Sequence, residues 1–170
     1  MKRKVFIIAK KAGFALLFFS GVLLILASVL NLRVLVDTHQ VHCLPFSLAI
    51  VQYGQVGEIK RGDIVAFTPD DQMGPLFKEK IVVKQVSGLP GDVVSVRNGT
   101  FTINGEMVGA MGSAERAAKY LKRASPFLNK DVAVQPGELV MTGTHKRSFD
   151  SRYWGVLQKS KLMGRVYPIM

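Results

Sequence analysis

The chain has 170 residues, enough for one domain of ordinary size and an appendage. Its formal net charge of +11 does not point to nucleic acid, because residues 1–33 carry six basic side chains and no acid while residues 34–170 carry 17 basic and 12 acidic. Cys43 is the only cysteine, which excludes an intramolecular disulfide, and three histidines without paired spacing give no metal site.

In chain order, residues 1–11 form a basic tail containing Lys2, Arg3, Lys4, Lys10 and Lys11. No charge then appears from Ala12 to Leu32, a run of 21 residues, long enough to cross a bilayer core as a helix. A cleaved leader is the competing interpretation, but apolar residues continue past the small residues at Ala27-Ser28 through Leu30, Leu32, Val34 and Val36. The expectation is an uncleaved transmembrane anchor over residues 12–33. Five basic residues before the span and only Arg33 close after it set the tail in the cytoplasm. Residues 34–170 then lie outside, as a periplasmic domain on the inner membrane. The remaining basic surplus suits a domain resting on anionic lipid, and the aromatic residues carry no nucleic-acid signature.

Residues 34–170 read as mainly β. Strands are expected at Asp63–Thr68, Lys80–Ser87, Asp92–Arg97, Thr100–Ile103, Gly137–Thr142 and Arg165–Ile169. Asn98-Gly99 is a strong hairpin signal, and Asn104-Gly105 predicts a second turn. One short helix is expected over Ser113–Arg123, with Ser113 as N-cap and a basic face of Arg116, Lys119, Lys122 and Arg123. That face is either an ordinary solvated one or a contact for membrane or substrate.

The chemistry concentrates around Lys84. It shares the period-2 face of Val82 and Val86, so its amine points where its neighbours are apolar. A desolvated lysine becomes a neutral general base and activates a hydroxyl or thiol without any histidine. Four segments are arranged around it in the sequence: Cys43-Leu44-Pro45, Arg61-Gly62-Asp63-Ile64-Val65-Ala66-Phe67, the strand ending Gly88-Leu89-Pro90-Gly91-Asp92, and Ser148-Phe149-Asp150-Ser151-Arg152-Tyr153-Trp154-Gly155. In that order they resemble the boxes of the type I signal peptidase family of membrane-bound Ser/Lys proteases, over about residues 12–170. The Cys-Leu-Pro spacing, the wording of the last box and the short chain look most like its conjugal-transfer branch. The resemblance implies twisted antiparallel sheets or a barrel, with one short helical insert and a preceding transmembrane helix.

It also implies roles. Lys84 takes the general-base position, Ser148 hydrogen-bonds Lys84, and Asp150 with Arg152 forms a supporting ion pair. The Ser-x-Asp-x-Arg spacing independently places all three on one face of an extended segment. The family's nucleophile is serine, whereas the matching position here is Cys43. Three readings stand: Cys43 is a working thiol nucleophile, Ser47 has taken over, or the site is inactive and Cys43 is packing. The position that supplies a serine for the oxyanion hole is Val41, and Gln85 replaces an arginine beside the lysine. His39, His42 and His145 raise a Cys–His alternative, which the presence of Lys84 weakens.

The implied reaction is acyl transfer through a thioester. It would cleave a leader from a pilin or other conjugation precursor, with hydrolysis or cyclisation of the product, and would need no cofactor. Its partners would be the precursor, the bilayer and proteins of the conjugation apparatus. The alternatives are an altered scaffold protein of that apparatus and a general signal peptidase I.

Overall fold

The computed structural model describes residues 2–38, 43–78, 80–112 and 114–170, of which residues 2–12 and Leu76 are described by backbone alone. The chain opens with helix α1 (Lys2–Val29), which passes directly into strand β1 (Leu32–Val36). The helix stops because Asn31 adopts a left-handed φ of 51°, a conformation asparagine tolerates and one that closes a helix C-terminus. The Asn31 carbonyl then accepts from Tyr53 N–H at 3.0 Å, fixing the entry to the sheet.

This corrects the boundaries of the expected anchor over residues 12–33, since Leu32 and Arg33 belong to a paired strand. Among the described residues, no helix is long and apolar enough to cross a membrane. Side chains in α1 are described only from Gly13 to its end at Val29, and along this stretch Phe14, Leu16, Leu17 and Leu24 are exposed.

The rest is mainly β, in antiparallel ladders. Strands β2 (Leu48–Tyr53), β3 (Ile64–Phe67) and β4 (Val82–Gly88) come before β5 (Val93–Arg97), β6 (Thr100–Ile103) and β7 (Glu106–Ala110). Helix α2 (Ala114–Leu121) leads to β8 (Asp131–Ala133) and β9 (Glu138–Thr142). A single helical turn, α3 (Ser151–Trp154), precedes β10 (Leu157–Gln158) and β11 (Leu162–Pro168). A seven-stranded sheet has the order β1-β2-β11-β3-β4-β9-β10, and a four-stranded one the order β7-β6-β5-β8. Both sheets have two edges, so the architecture is a pair of open sheets and not a closed barrel.

All six expected strands form, with ends shifted by a few residues. The two Asn-Gly pairs turn the β5–β6 and β6–β7 hairpins, each with both residues at positive φ: 51° and 73° for Asn98-Gly99, 53° and 82° for Asn104-Gly105. That is the backbone of a type I′ turn, whose twist matches the flanking strands. β1, β2, β7, β8 and β10 were not expected. β1 begins within the assumed anchor, and β8 and β10 are too short to show periodicity. The expected helix is present as α2, while its proposed cap Ser113 lies outside the described residues.

Three apolar clusters fill the interior. Val65, Phe67, Val86, Met141 and Trp154 pack together across β3, β4, β9 and α3. Val94, Phe101 and Phe127 centre a second cluster under the smaller sheet, and Ala49, Val51 and Val166 a third beneath β2 and β11. Burying such side chains is the main stabilising term, at about 25 cal/mol per Å² of apolar surface.

Candidate active site

Lys84 lies in the middle of β4, where burial alternates strictly along Val82–Gly88. Val82, Lys84 and Val86 share the buried face, and Lys84 keeps only 4% of its surface exposed. β4 pairs with β9 through Gln85↔Thr142 and Val86↔Met141. Continuing that register by one residue sets Gly143 across from Lys84.

Gly143 is where the separate segments meet. A Cβ there would lie 2.2 Å from Ser148 Oγ and 2.7 Å from the carbonyl oxygen of Cys43. Those two oxygens therefore flank a single point that a hydrogen atom can occupy and a methyl group cannot. The next residues of the same loop hold Cys43 directly. Its carbonyl accepts from Thr144 N–H at 2.9 Å, from Thr144 Oγ1 at 3.3 Å and from His145 N–H at 3.4 Å. Cys43 itself is half-buried, and its thiol is in no disulfide.

Behind the loop stands the ion pair. Arg152 Nε donates to Asp150 Oδ1 at 2.8 Å and Arg152 Nη2 to Asp150 Oδ2 at 2.7 Å, a two-pronged fork between buried side chains. Asp150 Oδ2 also accepts from Gly143 N–H at 2.9 Å. Arg152 spends its remaining donors on carbonyls, those of Ala110 at 3.0 Å, His145 at 3.3 Å and Ser148 at 3.4 Å. Burial disfavours the charged guanidinium, but the hydrogen bonds and charge of Asp150, with smaller help from Tyr153 and Cys43, hold its pKa above the ordinary value.

Several expectations change at this level. Ser-x-Asp-x-Arg is not an extended segment. Asp150 is the N-cap of α3, accepting from Arg152 N–H at 3.2 Å, and Arg152 sits inside that helical turn. The pair forms because a capping carboxylate and a side chain two residues on converge around the start of a helix. Ser148 Oγ does not hydrogen-bond Lys84. It is buried, with 1% of the residue exposed, and has no hydrogen-bond partner among the described residues. Gln85 reaches the carbonyl of Gly62 at 3.3 Å, which leaves Arg152 as the arginine that serves Asp150.

Ser47 is tied elsewhere. Its N–H donates to the Met170 carbonyl at 2.9 Å and its hydroxyl reaches the same oxygen at 3.5 Å, at the start of β2. His145 Nδ1 accepts from the N–H of Arg147 at 3.1 Å, so that nitrogen is occupied within its own loop. Val41, His39 and His42 lie outside the described residues. Among the described residues, no group of three or more His, Cys, Asp or Glu could hold a metal ion.

Sequence reading missed Gly143, Thr144 and the partnership of Arg61 with Asp92. Arg61 Nη2 donates to both Asp92 oxygens at 2.9 and 2.8 Å, and its other prong bonds the Ser87 carbonyl. Two of the four motif segments are thereby tied together beside β4. The signal was present: each of those two segments carries one residue of opposite charge at its end.

The family model described as "Signal peptidase, peptidase S26" matches residues 9–170. A signal peptidase I of Bacillus licheniformis is 36% identical over 115 residues, 64% of this chain and 58% of that protein. A probable signal peptidase I-2 of Synechocystis is 30% identical over 109 residues, 64% of this chain and 46% of that protein. The chain thus spans about half the length of these relatives. The crystal structure of a signal peptidase I from Enterococcus faecalis overlaps 65% of this chain and 98% of its own, at 26% identity and a TM-score of 0.40.

Proposed function

Since this chain belongs to the signal peptidase family, peptidase S26, we propose that it is an endopeptidase of the signal peptidase I type that removes leaders from precursor proteins by acyl transfer. The observation that carries the reading is the meeting at Gly143. That glycine follows Thr142, the partner of Gln85 next to the buried Lys84, and it lies against Ser148 and the carbonyl of Cys43.

In the proposed reaction, Lys84 takes the proton from Cys43 Sγ and the sulfur attacks the scissile carbonyl carbon. The tetrahedral intermediate collapses to a thioester as the leaving amine takes the proton from Lys84. Water then attacks the thioester, giving up a proton to Lys84, which returns it to the departing sulfur; the thiol is restored and the carboxylic acid product ionises in water. Ser148 Oγ, buried without a partner, supplies an unused donor and acceptor next to this chemistry. Asp150 and Arg152 hold the loop that carries it.

The relatives bear the name signal peptidase I, which supports a general precursor-processing role over the pilin-specific one suggested by the wording of the motifs. In this reading the exposed apolar side chains of α1 and the basic residues before them hold the β domain against a membrane surface. Cleavage then occurs where a precursor segment emerges from the membrane.

The test is a processing assay of the full chain on a secretory precursor and a pilin precursor, with Cys43→Ala, Cys43→Ser, Ser47→Ala and Lys84→Ala side by side. Cys43→Ala and Lys84→Ala are expected to lose about 10⁴-fold or more in rate. Cys43→Ser should keep part of the activity and Ser47→Ala nearly all of it. Undiminished cleavage by both Cys43→Ala and Lys84→Ala would return the chain to the scaffold alternative. Cleavage of the pilin precursor alone, in linear or cyclised form, would restore the narrower substrate.

A further inference from the structure

We propose that Thr144 is a positioning residue for the nucleophile, holding the main-chain carbonyl of Cys43 through its amide and its hydroxyl together. The inference rests on the reading of Cys43 as the attacking group. A peptide carbonyl commonly takes one or two hydrogen bonds, and this one is offered three donors from two successive residues: Thr144 N–H at 2.9 Å, Thr144 Oγ1 at 3.3 Å and His145 N–H at 3.4 Å. Fixing that oxygen fixes the ψ angle of Cys43, and with it the direction in which the Cα–Cβ bond carries the sulfur.

The other side of the same loop is anchored just as firmly. Gly143 N–H donates to Asp150 Oδ2 at 2.9 Å, and Arg152 Nη2 donates to the His145 carbonyl at 3.3 Å. Residues 143–145 are therefore a three-residue bridge, with the buried ion pair at one end and the nucleophile's backbone at the other. Asp150 and Arg152 act on Cys43 through Thr144. Amide donors come with any residue at this position, whereas the hydroxyl is specific to Thr144. The residue is exposed and fills no core, so its side chain can be altered without opening a cavity.

Thr144→Val keeps the shape and removes the hydroxyl, while Thr144→Ser keeps the hydroxyl. On a precursor substrate, Thr144→Val should lower kcat about five- to tenfold with KM within about twofold of the parent, the size expected for one neutral hydrogen bond. Thr144→Ser should restore the parent rate. A second measurement needs no substrate: the rate of alkylation of Cys43 by iodoacetamide should fall about fivefold in Thr144→Val and recover in Thr144→Ser, with the unfolding midpoint unchanged.

Parent-like kcat and alkylation in Thr144→Val overturn the proposal, and so does an equal loss in both variants, since packing and not the hydroxyl would then be responsible. If the parent chain cleaves no precursor, or cleaves it without Cys43, the peptidase reading fails and the alkylation arm alone decides Thr144: a fall that serine reverses supports it, and an unchanged rate overturns it.

Discussion

Arg152 grips Asp150 in the interior of this domain, whereas Arg61 reaches in from the surface to a largely buried Asp92. The first pair has side chains exposed by 4% and 0%, the second by 48% and 11%. Each carboxylate also accepts main-chain N–H groups, Gly143 and Arg152 for Asp150, Leu89 for Asp92. The geometry is alike, but the surroundings give it opposite meanings. A buried fork contributes little net stability relative to an apolar pair, yet removing one partner strands a charge without water. A surface fork is solvated and screened, so removing a partner exposes little that water cannot satisfy. The buried pair therefore makes the site intolerant of change, and the surface pair is an adjustable brace between two motif segments.

The sharpest way to break this contrast is Asp150→Ala. It leaves Arg152 charged and enclosed, so a loss of about 3–5 kcal/mol in urea unfolding is expected, with activity lost as well. A loss below about 1 kcal/mol would show that water reaches Arg152 and that the two pairs are equivalent. Next in size is Gly143→Ala, whose new methyl would meet Ser148 Oγ at 2.2 Å and the Cys43 carbonyl at 2.7 Å. Overpacking of this kind costs about 1–3 kcal/mol, and Ser148→Ala in the same chain should relieve part of it, which a double-mutant cycle measures directly. Ser148→Ala alone separates stability from function. Its hydroxyl is buried and unpaired, so stability should stay level or rise by up to about 1 kcal/mol while activity falls. A clear drop in stability would mean that the hydroxyl has a partner after all.

Strand β4 was legible because a period-2 pattern and a turn signal agreed there. Val82, Lys84 and Val86 alternate with less buried neighbours, and the strand ends on Gly88 just before the turn residues Pro90-Gly91. Both Asn-Gly hairpins were legible because a type I′ turn needs positive φ at two positions in succession. The end of α1 was harder to read, since Leu30-Asn31-Leu32 interrupts hydrophobicity by a single amide and only the left-handed φ of Asn31 reveals the stop. The Ser148 segment misled in conformation while giving the right ion pair, since a capping aspartate brings Arg152 back as well as an extended chain would. Gly143 was invisible for a different reason. Its importance lies in a close approach to Ser148 and Cys43, which spacing along the chain does not encode.

The smallest expected effect lies at the surface pair, and it has a pH signature. Burial alone would raise the pKa of Asp92, but the N–H of Leu89, the amide of Asn104 and the guanidinium of Arg61 together hold it below its ordinary value of 3.8. A carboxylate whose folded pKa is depressed stabilises the protein fully above the unfolded value, progressively less below it, and not at all beneath the folded value. Asp92 thus contributes at neutral pH and fades as pH falls below about 3.8. Arg61→Ala removes the exposed prong and should cost less than about 1 kcal/mol at neutral pH, and less again at high salt. Asp92→Asn should cost more than Arg61→Ala, because the carboxylate also serves Leu89 N–H at 2.6 Å and Asn104 Nδ2 at 2.7 Å, and an amide oxygen replaces only one of its two acceptors. It should also flatten the acid limb of the stability curve measured by thermal unfolding as pH falls from about 5 to about 2. An unchanged acid limb would place the acid sensitivity in other carboxylates and reduce the Arg61–Asp92 fork to a solvated contact.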